Sequence, residues 1–441
     1  HAEGYVGKEG GRPMTGIAFT VFIVGLILTF PIAVAMGLGA VIPGLTNPSF
    51  PANLVYIVRT MVIGVDSTPI LAIPLFIFSG IIMSKGGISR KLFDVFAYFI
   101  GKRRAGMPCA VILTCLFYGA ISGSGPATTA AVGAMTVPVL VELGYDKVYA
   151  GSIVSVGGGL GLIIPPSISF IMFGLATGVS VGSLFIAGII PGIVIALFLM
   201  VNAYLHSLKY GEDTEKIAAS YKVLKERGFL RIFLDGFWAL LTPVIILGGI
   251  YGGIVTPTEA ACISVVYALI VSLFIYKTIA VKDIWKLVVD SVKAVAPLCV
   301  LLALANAFSR VLTFAQAPQA LARALSTTLT SPALFLIVLN IVLLILGMFI
   351  DGAPAILILA PMLLPVATSL GINPVHLGII IVVNLTIGLS TPPFGLNLFV
   401  ASSMIDAPVM ELGKKSLPYI LSYTLALLVI TFIPWLSLVL L

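Results

Sequence analysis

The chain has 441 residues, of which 60% are hydrophobic and 9% charged, with a net charge of +7. A soluble domain needs about a quarter charged residues to clothe its surface, so this composition excludes one and points to a lipid bilayer. The positive balance is not a nucleic-acid signal, because the basic residues gather in a few loops, as the positive-inside rule expects.

Residues 1–13 are polar, begin without Met and precede Met14, and are read as a linker or a remnant of expression. Apolar runs follow at about 15–44, 53–84, 107–142, 147–178, 183–205, 237–254, 259–276, 290–314, 333–370, 376–405 and 416–440. Pro31 could divide the first run into two short helices. Two runs, 107–142 and 333–370, are interrupted at their centres. One carries Gly119-Ala-Ile-Ser122-Gly-Ser124-Gly-Pro126-Ala-Thr128-Thr129, the other Gly347-Met-Phe-Ile-Asp351-Gly-Ala-Pro354. Their halves are short for full spans, which need roughly 20 residues. Both are therefore expected to be re-entrant helical hairpins. Each is followed by a run broken at a Pro-Pro pair, Ile164-Pro165-Pro166-Ser167 and Thr391-Pro392-Pro393-Phe394. Broken backbone survives in lipid only where it is buried in protein or lines a cavity. Paired breaks in the two halves of a membrane chain point to a transporter's binding site.

The order suggests an inverted repeat. A basic-flanked amphipathic segment (Lys85 to Arg104) precedes the first hairpin, and a less basic one from Phe314 precedes the second. Leu54–Ser84 corresponds to Ile284–Phe314, and 237–276 to 15–44. The polar stretch from His206 to Arg231 is read as a cytoplasmic loop dividing the halves. Trp238, Trp285 and Trp435 suit the aromatic belts. Four cysteines in apolar runs, without CxxC spacing, indicate neither disulfides nor zinc.

Several polar groups have plain structural readings. Thr256-Pro257-Thr258-Glu259 is a capping box. Asp66-Ser67-Thr68-Pro69 is read as another capped helix start. Arg310 could pair with an anion or snorkel from a helix end. Asp351 stands apart. A carboxylate in mid-hairpin is a functional-site hypothesis by default, as a cation ligand, a helix cap, or both. At the first tip Ser122, Ser124, Thr128 and Thr129 offer hydroxyls beside exposed backbone. No phosphate loop and no catalytic constellation is present, so no enzyme is expected and the driving force falls to an ion gradient or a partner.

From Met14 on, the whole chain resembles the large membrane subunit of tripartite ATP-independent periplasmic (TRAP) transporters. The resemblance rests on Asp66-Ser-Thr-Pro-Ile-Leu-Ala-Ile-Pro-Leu-Phe, Ser122-Gly-Ser-Gly, Ile164-Pro-Pro-Ser, Pro257-Thr-Glu, Gly347-Met-Phe-Ile-Asp and Thr391-Pro-Pro-Phe-Gly, in family order. It implies an all-α polytopic fold of two inverted repeats with an elevator-type mechanism, in the bacterial inner membrane. It implies a small four-helix membrane (Q) subunit, a periplasmic substrate-binding (P) protein, two or more co-transported sodium ions, and an organic acid anion such as a C4-dicarboxylate or sialic acid. One sodium falls to Ser122, Gly123, Ser124, Gly161 and Pro165, another to Asp351, Gly352, Gly388 and Thr391. The substrate falls to Thr128, Ser167, Ser169, Asn384 and Asn397.

The expected organisation is a first repeat, 14–208, with scaffold helices 14–84, arm 85–105, hairpin 107–142, broken helix 147–178 and helix 183–208. A connector, 209–231, leads to a second repeat, 232–441, with scaffold helices 232–313, arm 314–328, hairpin 332–370, broken helix 375–405 and helix 416–440. Two rival readings are a stand-alone sodium/carboxylate symporter without a binding protein and a non-transporting membrane scaffold.

Overall fold

In lipid every backbone polar group must be satisfied internally, which favours helices. The computed structural model describes residues 11–320 and 331–441, and among these it is helical, without a strand. The expected terminal segment therefore lies largely outside the described residues (1–10), as does the second arm from 321 onward.

The first run is divided, as Pro31 allowed, into α1 (Gly11–Ile27) and α2 (Ile32–Thr46), which pack on one another. Next come α3 (Leu54–Val65), a 3-10 turn at Thr68–Leu71 and α4 (Ala72–Lys85). The amphipathic α5 (Ile88–Ile100) leads into the first hairpin, α6 (Gly106–Ser122) and α7 (Gly125–Glu142). The broken helix is α8 (Lys147–Gly157) and α9 (Ile168–Thr177), and α10 (Val181–Tyr210) closes the half. The second half holds α11 (Thr214–Glu226), α12 (Phe229–Tyr251), α13 (Pro257–Ile270) and α14 (Ile284–Phe314). Its hairpin is α15 (Pro332–Gly347) and α16 (Gly352–Ser369), its broken helix α17 (Pro374–Gly388) and α18 (Leu396–Ile405), and α19 (Val409–Phe432) and α20 (Trp435–Leu438) end it. Seven helical stretches among the described residues are long and apolar enough to cross a membrane. The arms α6 and α7, of 17 and 18 residues, are not among those seven.

Three expectations need correction. Leu54–Ser84 is broken at Asp66–Pro69, whereas Ile284–Phe314 is one continuous 31-residue helix. A lone Pro297 is carried inside a long helix, but Gly64 to Pro69 combines glycine, three capping-type residues and proline. Asp66 is the C-cap of α3 and not a helix start. Ser67 precedes the 3-10 turn without a side-chain cap bond. The loop expected at 206–231 contains α11, whose Asp213 caps it and whose Ile217 is buried. By contrast, Thr256 and Glu259 form the expected capping box on α13.

The connector is fastened to the first half. Arg227 reaches Asp94 of α5 at 2.6 Å, and Arg90 pairs with the same carboxylate at 3.1 Å. Glu212 accepts from the Ala105 amide at 3.0 Å and from the Tyr145 hydroxyl at 2.5 Å. Burial, reinforced by that carboxylate, pushes the Tyr145 phenol well above its ordinary value. All the strongly basic loops thus share one end of the molecule with the base of the first hairpin. Lys415, near the start of α19, also lies at that end, 3.8 Å from Asp146. Its far end meets the start of α17, where His376 contacts the Thr431 carbonyl at 3.2 Å and the Ser437 hydroxyl at 3.1 Å. The second hairpin, which leads into α17, therefore has its base at the opposite end. The positive-inside rule makes the basic end cytoplasmic.

Candidate functional site

Where each hairpin turns, glycine is required because another backbone passes through the space of its side chain. A Cβ on Gly119 would lie 2.6 Å from the Gly161 Cα, and one on Gly388 would lie 2.3 Å from the Gly347 carbonyl carbon. Each hairpin arm is thus pressed against the break that follows it. Gly119 stands four residues before Gly123 and seven before Pro126, and Gly347 stands likewise before Asp351 and Pro354. Both Pro-Pro peptide bonds at the breaks are cis.

The first tip gathers oxygens. Gly123, at φ +63°, ends α6, and Pro126 opens α7. The Ser122 and Thr128 hydroxyls lie 2.7 Å apart, and Thr128 donates to the Ser124 carbonyl at 2.8 Å. Gly161 closes on the same place, where a Cβ would meet the Thr128 hydroxyl at 2.4 Å and the Ser124 carbonyl at 2.8 Å. The tip also meets the break beside Pro165, since the Ile168 amide donates to the Gly123 carbonyl at 3.4 Å. Of the residues assigned to the first ion, Ser122, Gly123, Ser124 and Gly161 are therefore brought together, with Thr128 as an added oxygen. An oxygen-only donor set suits a hard cation. A cavity of about 310 Å³ lies against this tip, lined by Ser122, Ser124 and Ala127 and, across from them, by Gly80 and Ser84 of α4 and Leu298 of α14.

The second tip is built on Asp351. Its Oδ1 accepts from the Gly352 amide at 2.7 Å and caps α16, while Oδ2 has no partner among the described residues. The residue is exposed at the tip. Rings of Phe349 and Phe394, 5.9 Å apart, join tip to break. The Thr391 hydroxyl, however, donates back to the Ile387 carbonyl at 2.7 Å. It is committed to its own helix end, and Gly388 serves the close backbone approach.

Of the residues assigned to substrate, Thr128 and Asn397 lie against the first tip, and Ser167, Ser169 and Asn384 have other surroundings. Thr128 belongs to the oxygen cluster. Ser167 donates to the Leu162 carbonyl and accepts from the Phe170 amide as the cap of α9, so its hydroxyl is used within its own break. Ser169 is buried on α9. Asn384 turns away from the first tip, giving its amide to the Asn340 side chain at 2.8 Å, and Asn340 in turn donates to Thr431 at 3.2 Å. Asn397 lies at the start of α7, 3.3 Å from the place of a Gly125 Cβ, and donates to Ser390 at 3.3 Å. Ser390 donates to the Ser155 carbonyl at 2.9 Å, tying the two broken helices together. Sequence reasoning missed Asn340, Ser155 and Ser390. The available signal was a polar residue in mid-run, Asn340 within Leu-Ile-Val-Leu-Asn-Ile-Val-Leu-Leu, since such residues bond across helices in membranes.

Residues 19–436 match the family described as "Tripartite ATP-independent periplasmic transporter, DctM component". The chain is 43% identical over 371 residues to the C4-dicarboxylate TRAP transporter large permease protein DctM of Pseudomonas aeruginosa, covering 84% of this chain and 86% of that one. It is 40% identical over 418 residues to the isethionate TRAP transporter permease protein DctMQ of Oleidesulfovibrio alaskensis, covering 95% of this chain and 65% of the relative's length. The 2,3-diketo-L-gulonate TRAP transporter large permease protein YiaN of Escherichia coli is 34% identical over 85% of this chain and 87% of its own length. Among solved structures, the YdaH transporter of Alcanivorax borkumensis superimposes with a TM-score of 0.58 at 18% identity, covering 95% of this chain and 98% of that one. MtrF of Neisseria gonorrhoeae does so at 0.59 and 15%, covering 96% of each. Those two likenesses concern the fold alone.

Proposed function

The chain belongs to the DctM family of tripartite ATP-independent periplasmic transporters, as a multi-pass inner-membrane permease, and from that premise we propose that it drives sodium-coupled uptake of an organic acid anion. The anion is handed over by a periplasmic binding protein, and a small four-helix subunit accompanies the permease. The relatives' names span dicarboxylate, diketogulonate and isethionate, which fits a site that accepts small anions of several kinds.

The observation that carries this reading is the oxygen cluster of Ser122, Ser124 and Thr128 at a broken backbone, opening on a cavity of about 310 Å³. Hydroxyl and carbonyl oxygens at half-helix ends are suitable ligands for sodium. The N-terminus of α7, at the same tip, favours an anion. When bound, the ion supplies positive charge beside the anion. The chain's own part is to hold the oxygens in place, through the glycine contacts, and to keep hydroxyls and carbonyls turned towards the tip. Asp351 contributes a carboxylate oxygen at the second tip. The hairpins and broken helices move together against α1–α4 and α12–α14, where the small subunit docks, as an elevator. Members of this group transport their substrate without altering it, and we read this chain as a carrier and not an enzyme.

Reconstitution into proteoliposomes tests the reading. Uptake of a C4-dicarboxylate should require an inward sodium gradient, the small subunit and the binding protein together. Uptake with sodium alone would identify a stand-alone symporter. Absence of uptake of dicarboxylate, isethionate and diketogulonate alike would overturn the proposal.

A further inference from the structure

A second and larger cleft, of about 680 Å³, lies away from the hairpin tips. Its walls come from the end of α3, the Thr68–Leu71 turn, the start of α13 and the last turns of α14 on one side. The end of α9 and the start of α10 form the other. Each of these segment ends lies one membrane crossing from the basic loops. The cleft therefore faces the outer side by the positive-inside rule.

Among the described residues Arg310 is the only charged one in the lining. It is exposed, and it has no ion pair or hydrogen bond among the described residues. At the outer end of α14 the guanidinium is open to an anion that enters the cleft. Beside it stand two hydroxyls free to donate to an anion's oxygens, those of Ser67 and Thr68; Thr60, Thr258 and Asn306 also line the cleft but donate to the Tyr56, Thr68, and Gly64 and Leu302 carbonyls. The Ser67 hydroxyl is buried without a partner, and Asn306 lies one helical turn before Arg310 on the same face. The cleft is also joined to the hairpin cavity through shared elements. Ile171 and Gly174 of α9 line the cleft and Ile168 lines the cavity; Ala72 of α4 lines one and Gly80 the other.

We propose that this cleft is an outer receiving site, in which Arg310 holds a carboxylate-bearing organic anion before it reaches the hairpin tips. The role of a receiving site rests on the uptake reading above; the anion-binding chemistry of the cleft does not. The guanidinium fork matches a carboxylate with two parallel bonds, and the Ser67 and Thr68 hydroxyls take the remaining oxygens.

The test has two arms, of which the first needs no transport. In the full-length chain, Thr60→Cys and Thr258→Cys are each exposed from the outer side to two methanethiosulfonate reagents, one bearing a sulfonate and one a trimethylammonium. The unsubstituted chain gives the background. The anionic reagent should be favoured, and Arg310→Gln should lower the anionic-to-cationic rate ratio by about fivefold or more, as loss of one nearby charge requires. Arg310→Lys should keep the ratio within about twofold. High salt should reduce it in the Arg310 chain, a readout that needs no charge-removing variant. A ratio indifferent to Arg310 and to salt, or cysteines reached only from the basic-loop side, overturns the site. In the second arm, with succinate and the reconstituted complex, Arg310→Gln should raise the half-saturating succinate concentration about tenfold and leave the sodium dependence alone. An unchanged succinate requirement overturns the receiving role. If the unsubstituted complex shows no uptake of any of the three anions, the uptake reading fails while the reagent arm still decides the cleft.

Discussion

Removing one charge at the second hairpin tip separates an ion ligand from a helix cap. Asp351 does the second job visibly, since its Oδ1 accepts from the Gly352 amide at 2.7 Å. Asparagine caps helices about as well as aspartate, so Asp351→Asn should keep α16 in place and leave insertion and folding unchanged. What it loses is the negative charge and the unpartnered Oδ2. A carboxylate and a sodium ion about 4 Å apart attract by about 1 kcal/mol in water and about 4 kcal/mol at an effective dielectric near 20. Asp351 is exposed at the tip, which places the contact between those limits, at about 2 kcal/mol. At 1.36 kcal/mol per tenfold, this is roughly a thirtyfold rise in the sodium needed for half-maximal uptake. The assay is uptake against sodium concentration in proteoliposomes carrying the permease, small subunit and binding protein. Superimposable curves for the two chains would leave Asp351 a cap only. A variant that failed to insert would show that the carboxylate holds the hairpin together in a way asparagine cannot, and would equally refute the reasoning.

Three further outcomes follow from the same geometry. Gly388→Ala puts a methyl 2.3 Å from the Gly347 backbone and should cost about 1–3 kcal/mol, read as a lowered unfolding temperature with lost uptake; Gly248→Ala, with nothing within 4 Å, should do neither. Thr128→Val keeps the shape but removes the hydroxyl 2.7 Å from Ser122, so sodium affinity should fall about fivefold, the worth of about 1 kcal/mol, with the fold retained; an unchanged sodium curve would remove Thr128 from the ion site. Asn384→Leu breaks the pair with Asn340 and should reduce thermal stability by about 1 kcal/mol, in line with interhelical bonds in membranes, while leaving the half-saturating substrate concentration where it was; a large rise in that concentration would return Asn384 to the substrate site.

The hairpins and breaks were legible because helix-breaking residues inside an apolar run leave the backbone little choice but to turn. Ser-Gly-Ser-Gly-Pro cannot continue a helix, and α6 and α7 turn at Gly123 and Ser124. The capping box at Thr256 was legible for the same reason, being local. What could not be read was where mid-helix polar groups point. Asn384 and Asn397 are both asparagines in broken helices, yet one bonds Asn340 on α15 and the other Ser390 at its own break. That choice depends on which helix lies alongside, which one sequence does not show. The helix in the connector was missed because its stabilising partner is distant: α11 packs on α5 and its following residue, Arg227, finds Asp94.

The two tips bear on how the two halves can carry different side chains on a like backbone. Gly119 against Gly161 and Gly347 against Gly388 bring the backbones into contact beside each tip, so the position of each tip is set by residues without side chains. Once the backbone is held this way, the groups facing the space beside it are free to differ. The first tip gathers neutral hydroxyl and carbonyl oxygens and no carboxylate, and the second presents a carboxylate whose cap bond uses only one of its oxygens. A neutral set can bind an ion only with many short contacts, because each dipole contributes little. A charged ligand tolerates fewer contacts and a more open setting, which fits the burial of Ser122 and the exposure of Asp351. The expected consequence is a difference in salt response. Sodium at the Asp351 tip should weaken as inert salt is raised, whereas sodium at the Ser122 tip should respond far less. Separate titrations of the Thr128→Val and Asp351→Asn chains at low and high choline chloride would read it. Equal salt sensitivity in both would mean that the division of labour between the tips is not electrostatic.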